Sequence, residues 1–444
     1  MKPLAVVGAL IMATLAYQWP SDYHIAAGFA LFVLAAVLWL TEAIHVTYTA
    51  LLIPLVAILL GLADVNTALS GFSHPIIALF LGGFALAAAL SAQGIDRWLA
   101  SGLVNSANGR PVLAAMLLSL VTALLSMWIS NTAAAAMMLP IALGLVLPLA
   151  KRFPRYMLFV LLALAWGANV GGVTTLVGSP PNAIVAAALD WGFTDWLRIG
   201  IPAFLLLWPL VLLVLYVGIR PEADMPRVSS ATRVPFPQHR DAWLTLGIFV
   251  ITVGLWVFGE PLAARVGLNI QGSFDSAVAL LAIALLAVSG VLPWKNIEQH
   301  ANWGVLLLFG GGITLSMVMQ LSGTSAWMAE GVSQVLPGQH PWLIYLLLAL
   351  FVVFLTELVS NTASAALLVP LFMPVAELLG VSTVITAALI GIMASCAFML
   401  PVATPPNALV FGTGNVAQRD MIRLGLRLNL LAAVLLALLL PTVL

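Results

Sequence analysis

SNTAAAAMMLP (Ser130–Pro140) and SNTASAALLVP (Ser360–Pro370) are one device written twice in apolar sequence, their asparagines 230 residues apart in a chain of 444. Each is followed by a second polar island that holds Pro-Pro-Asn. These islands are GSPPNAI (Gly178–Ile184) and ATPPNALV (Ala403–Val410), with Asn182 and Asn407 separated by 225 residues. Two unlike motifs that recur in the same order at nearly the same spacing indicate a duplicated unit. Polar groups at membrane depth are costly, and they mark the place where function is to be sought.

Composition places these motifs in a membrane. Hydrophobic residues make up 63% of the chain and charged residues 7%, whereas soluble domains carry about 25% charged residues. Mean hydropathy is +1.13. Apolar stretches long enough to cross a ~30 Å hydrocarbon core recur along the whole length. They are continuous, so they read as helices and not as the ten-residue alternation of a β-barrel. The formal net charge is zero, which points to no nucleic acid or other charged macromolecule. The one cysteine, Cys396, can form neither an internal disulfide nor a thiolate cluster. The apolar segment after Lys2 reads as a first span and not as a cleaved signal.

The expected fold is an all-α polytopic membrane protein with eleven crossings and two re-entrant hairpins. The crossings fall near residues 3–18, 25–44, 47–62, 75–100, 157–189, 201–219, 242–258, 276–292, 303–321, 383–412 and 421–440. The fifth breaks at 178–182 and the tenth at 403–407; the hairpins occupy 111–150 and 341–379, with Ser-Asn-Thr at their tips. Basic residues stay in the cytoplasm. With the N-terminus inside and the C-terminus outside, fourteen of the sixteen Lys and Arg fall on the cytoplasmic side, and only Arg198 and Arg265 fall outside. Arg110 and Lys151-Arg152 bracket the first hairpin, whereas no Lys or Arg flanks the second. The hairpins then enter from opposite faces, and the repeat is inverted.

Non-helical backbone at this depth is tolerated only where it is buried in protein or lines a cavity. The proline pairs 180–181 and 405–406 end the preceding helices and free carbonyls near Gly178 and Ala403. Glycine at 178 permits a backbone that residues with a Cβ resist. Ser126 and Thr356 stand four residues before Ser130 and Ser360, one helical turn below each tip. Carbonyl, hydroxyl and amide oxygens together suit a hard monovalent cation, so each tip with its neighbouring break can cage one. The same tips offer anion sites. Ser130 and Ser360 read as N-caps of helices 132–150 and 362–379, and helix N-termini present free N–H groups and partial positive charge. Asn131, Thr132, Asn361 and Thr362 add side-chain donors. Two N-termini converging from opposite sides suit a small anion charged at both ends. No Lys or Arg lies near the breaks, so bound cations must supply the counter-charge.

Other features have plainer readings. Glu42 and Glu377 lie near span ends, where interfacial solvation accounts for them. Glu357, one turn from the second tip, is read as a helix-packing hydrogen bonder ahead of a ligand. The tryptophans read as interfacial anchors, and FLGGFAL (Gly82-Gly83) and LFGGGITL (Gly310–Gly312) as close-packing sites in matching halves. No metalloprotease, phosphate-loop or nucleophile–His–Asp pattern occurs, which argues against an enzyme. Closed tips in place of a continuous polar stripe argue against a channel.

Both Ser-Asn-Thr motifs, both Pro-Pro-Asn islands and WLTEAI (Trp39–Ile44) make the chain resemble, over its full length, the divalent anion/sodium symporter family of dicarboxylate and tricarboxylate carriers. The resemblance implies an elevator-type homodimer in the inner (cytoplasmic) membrane. Its scaffold would be residues 1–110 and 241–340, its transport domain 111–219 and 341–444, with a cytoplasmic linker at 220–240. It implies at least two sodium sites, one on Ser126, Ser130, Asn131 and Gly178, the other on Thr356, Val359, Asn361 and Ala403. The substrate would meet Asn131, Thr132 and Ser179 in one half, and Ser360, Asn361, Thr362, Thr404 and Pro405 in the other. The expected function is sodium-coupled symport of a C4-dicarboxylate such as succinate, malate or fumarate. The alternatives are a sodium-independent exchanger of the same fold or a carrier of citrate or sulfate.

Overall fold

A computed structural model describes residues 2–227, 234–265, 267, 273–333 and 340–443. The middle of the expected linker, 228–233 with Arg233, lies outside the described residues. After α1 (Pro3–Tyr17), two sets of ten helices follow in the same order. The first set is α2 (Tyr23–Thr41), α3 (Val46–Leu59), α4 (Val65–Ser70), α5 (Pro75–Ala92), α6 (Ile95–Asn105), α7 (Pro111–Ser126), α8 (Asn131–Val146), α9 (Pro154–Val173), α10 (Pro180–Leu189) and α11 (Phe193–Ile219). The second set is α12 (Arg240–Arg265), α13 (Phe274–Val288), α14 (Trp294–His300), α15 (Trp303–Leu321), α16 (Thr324–Ser333), α17 (Pro341–Thr356), α18 (Asn361–Leu378), α19 (Thr383–Ala394), α20 (Pro405–Gly412) and α21 (Gln418–Val443). Eight helical stretches among the described residues are long and apolar enough to cross a membrane.

Local chemistry sets the starts. Proline occupies the first turn of α5, α7, α9, α10, α17 and α20, where its missing N–H costs nothing. Asp22, Asp64, Ser130 and Thr404 cap their helices through side-chain oxygens. Helices α7 and α17 have 16 residues each and end just before Ser-Asn-Thr, where the chain leaves the helix and a new helix opens at Asn131 and Asn361. Each packs against the helix that follows its Ser-Asn-Thr, so both stretches are hairpins.

The two sets pack reciprocally. Helix α3 lies on α15 while α5 lies on α13; α10 meets α18 and α19 while α20 meets α8 and α9. The first turns of α3 and α15 touch at Thr47 and Gly304, and those of α5 and α13 are tied by Ser276 Oγ donating to the Pro75 carbonyl at 2.7 Å. Corresponding helices therefore start at opposite ends, as an inverted repeat requires.

Several boundaries differ from the sequence reading. The expected fourth span stops at Ala92, and after Gln93-Gly94 a separate amphipathic helix, α6, leads to the first hairpin. The helix after Ser130 ends at Val146, not 150, and the chain turns before Pro154. The sixth span begins at Phe193 and is 27 residues long. The second break opens at Ala394, well before the expected 403. The cause of the last is Glu357. Its carboxylate accepts the N–H groups of Phe398, Met399 and Leu400 at 2.7, 2.8 and 2.9 Å, and the Asn429 amide of α21 at 2.8 Å. A buried side chain thus satisfies backbone that has left its helix.

Replacing Glu357 with alanine orphans one buried N–H group and two part-buried ones, the buried one at a cost of roughly 1–3 kcal/mol. We expect Glu357→Ala to lower the thermal unfolding midpoint strongly, with Glu357→Gln intermediate. A melting curve on the detergent-solubilised chain checks this, and an unchanged midpoint in the alanine variant overturns the assignment.

Candidate functional site

The two breaks are closed by their own asparagines. Asn182 Nδ2 donates to the carbonyls of Gly172 and Thr175 at 2.8 and 2.7 Å. Asn407 Nδ2 does the same for Ala397 and Leu400, both at 3.1 Å. The third residue of Pro-Pro-Asn is therefore a structural clasp on carbonyls that the prolines free. At Gly178 the constraint is not an unusual torsion, as the sequence reading had it, but close approach: a Cβ there would lie 2.6 Å from the Gly172 carbonyl oxygen. Gly172 in turn admits the first tip, since its Cβ would lie 2.2 Å from Asn131 Oδ1.

Behind each tip is an oxygen cluster. Ser126 Oγ lies 2.6 Å from Asn131 Oδ1 and 2.7 Å from the Ala168 carbonyl. Thr356 Oγ1 lies 2.8 Å from Asn361 Oδ1 and 2.7 Å from the Ala394 carbonyl. A hydroxyl has one proton, so it can serve only one of its two acceptors at a time and each cluster keeps free oxygen lone pairs. Three converging neutral oxygens with free lone pairs are a donor set that suits a hard cation such as sodium. The carbonyls of Ala168 and Ala394 were not anticipated from the sequence, although they are related by the repeat.

The tips and breaks face one cavity of about 480 Å³. All eight residues expected at the substrate line it: Asn131, Thr132 and Ser179 from the first half, and Ser360, Asn361, Thr362, Thr404 and Pro405 from the second. So do Ser130, Gly178, Val359 and Ala403 from the expected cation sets, whereas Ser126 and Thr356 stand behind their asparagines. Ser130 caps α8 by accepting from the Ala133 N–H at 3.2 Å. Ser360 holds the equivalent place with no such bond, which leaves its hydroxyl to the cavity. The cavity wall carries no Lys or Arg.

Sequence reasoning missed four residues. Asn169, fully buried within α9, reaches across the repeat to Thr404 Oγ1 at 3.1 Å, and its Oδ1 has no partner. Its counterpart Ser395 meets Ser179 Oγ at 3.0 Å. Each half thus braces the residue that precedes the other half's proline pair. Glu42 and Asn302, at the ends of α2 and α15, complete the wall, which corrects the reading of Glu42 as merely interfacial.

A family model described as "Citrate transporter" matches residues 36–373. An uncharacterized transporter of Haemophilus influenzae is 48% identical over 416 residues, covering 92% of this chain and 90% of the relative. The sodium-dependent dicarboxylate transporter SdcS of Staphylococcus saprophyticus is 31% identical, covering 92% of this chain and 85% of the relative. Among solved structures, the YdaH transporter of Alcanivorax borkumensis superposes with a TM-score of 0.60 at 20% identity, covering 87% of this chain and 88% of that one; it supports the fold. The chain is thus a transporter and belongs to the citrate transporter family.

Proposed function

We propose that the protein is a sodium-coupled symporter of C4-dicarboxylates such as succinate, malate or fumarate. The observation that carries this reading is the pairing of two neutral-oxygen clusters with two helix N-termini on one cavity whose wall has no cationic side chain. One sodium would be held by Ser126, Ser130, Asn131 and Gly178, joined by the Ala168 carbonyl. The other would be held by Thr356, Val359, Asn361 and Ala403, joined by the Ala394 carbonyl. Sodium supplies the positive charge that the wall lacks. The N–H groups that open α8 and α18, with Thr132, Thr362, Ser179, Ser360 and Thr404, then take the carboxylate oxygens. The sodium-dependent dicarboxylate transporters among the relatives support this substrate class. A second reading, carriage of citrate, is favoured by the description of the matching family model.

An asymmetry between the tips supports a sliding movement. Trp128 stacks on Phe193 and packs edge-on against Phe249 of α12, with ring centroids 6.1 and 5.2 Å apart. Its counterpart in the repeat, Leu358, is 73% exposed, and Val402, counterpart of the buried Val177, is 84% exposed. One tip is packed against α12 and the other is open to the cavity. An elevator in which residues 111–219 and 341–444 slide against a dimeric scaffold of 1–110 and 241–340 would exchange these environments. The cavity reaches the end of the molecule that carries the N-terminus, since the Lys2 N–H donates to the Ala43 carbonyl at 2.9 Å beside Glu42. With basic residues inside and the chain in the inner membrane, this is a cytoplasm-open arrangement.

Three outcomes are expected. Succinate uptake into proteoliposomes disappears when choline replaces sodium; sodium-independent uptake sinks symport, and citrate uptake in place of succinate uptake selects the second reading. Asn131→Ala and Asn361→Ala each abolish uptake in a folded protein, whereas Ser126→Ala and Thr356→Ala raise the sodium concentration needed for half-maximal uptake by roughly tenfold, the loss of one or two ligand contacts. In a background where the buried Cys396 is replaced by alanine, cross-linking Trp128→Cys to Phe249→Cys with a short bis-maleimide stops transport and leaves sodium-dependent succinate binding intact. Undiminished transport after complete cross-linking rules out the sliding movement.

A further inference from the structure

Nineteen residues line the cavity, and Glu42 is the one ionisable group among them. A carboxylate opposite a dianion works against binding, because like charges repel over the full width of a small cavity. Glu42 is nonetheless firmly presented. It ends α2 in a left-handed conformation, φ 45° and ψ 43°, a region that suits glycine or asparagine better than a longer side chain. The turn is tied on both sides. The Lys2 N–H donates to the Ala43 carbonyl, and Lys2 Nζ donates to the Thr41 carbonyl, both at 2.9 Å. Trp39 Nε1 donates to the Val46 carbonyl at 3.1 Å. Ala43 is fully buried beneath it. The Lys2 ammonium is thus held by a backbone carbonyl, and none of the described ion pairs includes Glu42. Its neighbour on the rim, Asn302, is neutral and uses its side-chain oxygen to cap α15 through the Val305 N–H at 3.3 Å. The Glu42 carboxylate thus faces the cavity without a direct ion-pair partner among the described residues, the nearby Lys2 ammonium being bound to the adjacent Thr41 carbonyl.

Its place in the fold gives that charge a direction. Glu42 belongs to α2, whereas the tips and breaks belong to the two hairpins and broken helices. We propose that Glu42 is a specificity-determining release element: fixed in the scaffold, it weakens dianion binding while the cavity faces the N-terminal end. This rests on the symporter reading above. Charges in water are screened beyond about 8–10 Å, so the repulsion fades once the carrying unit has moved away. Affinity is then lower in this arrangement than in the opposite one, and the dianion leaves faster here. Glu42 adds no driving force, which remains the sodium gradient. By linkage, what it subtracts from affinity in one state it returns as a bias of the loaded carrier toward the other.

The test uses the full-length protein in nanodiscs, cross-linked between Trp128→Cys and Phe249→Cys to hold the described arrangement, with succinate binding measured at saturating sodium. Glu42→Gln is expected to bind succinate about tenfold more tightly at low ionic strength, as for the loss of one like charge at short range in partly screened surroundings. Glu42→Asn, neutral and at ease in the left-handed region, is expected to do the same and serves if the glutamine variant folds poorly. The gain shrinks in 0.5 M choline chloride. For succinamate, which carries one charge, the gain is about the square root of that for succinate, because the repulsion scales with ligand charge. Unchanged or weaker succinate affinity in both variants overturns the release role, as does an equal gain for succinate and succinamate. If the wild-type protein binds no dicarboxylate with sodium present, the symporter reading fails and the release role with it; wild-type binding without a gain on substitution overturns the release role alone.

Discussion

Backbone that leaves a helix inside apolar surroundings must find its hydrogen bonds within the protein, and nearly every feature of this site answers that demand. The first break spends Asn182 on two carbonyls and the Thr175 hydroxyl on the Met127 carbonyl. The second spends Asn407 on two carbonyls and Glu357 on three N–H groups. Because these bonds come from side chains at fixed places, the freed backbone has a definite shape. Only then can the oxygens behind each tip and the N–H groups at its helix start converge on one cavity.

The repeats solve the problem unequally. Glu357 has Met127 as its counterpart, 230 residues earlier. Where the first half has an apolar side chain and a short break after Val173, the second has a carboxylate and a longer break from Ala394 to Thr404. A carboxylate collects several donors at once, so it stabilises more irregular backbone than a hydroxyl can. The cross-braces differ in the same way. Asn169 reaches Thr404 with an amide, while Ser395 meets Ser179 with a hydroxyl. A duplicated fold thus keeps its geometry while its two halves divide the polar work differently.

What the sequence makes legible is punctuation. Ser-Asn-Thr and Pro-Pro-Asn interrupt apolar runs, proline and serine mark helix starts, and the doubling gives the inverted architecture and brings the residues singled out at the tips and breaks to one cavity wall. What it hides are bonds between residues far apart in the chain. The second break opens at Ala394 because a carboxylate about 40 residues away replaces its helix bonds, and no local pattern announces that. Asn169 and Ser395 look like ordinary residues of small, apolar helices, and only the register of the repeat pairs them. Glu42 reads as a span end because it is one; a left-handed turn pinned by Lys2 also puts it on the cavity wall. Gly178 was correctly singled out for its missing side chain, but the reason is a neighbouring carbonyl and not the local torsion.

The absence of a cationic side chain from the cavity wall has a physical consequence in the proposed reading. A lysine or arginine there would bind a dianion without help, and the site would carry that charge in every state of the cycle. Neutral oxygens and helix N–H groups bind neither ion well alone, because each isolated charge would keep most of its desolvation cost. Two sodium ions and one dianion together form a package of zero net charge, and each partner relieves the cost of the others. The half-filled site, which carries net charge, is then penalised when sealed away from water, whereas the full or wholly empty one is not. Coupling requires no separate gate under this scheme: it follows from building both ion sites out of dipoles around a shared cavity, with the one fixed charge, Glu42, placed on the framework and outside the moving site.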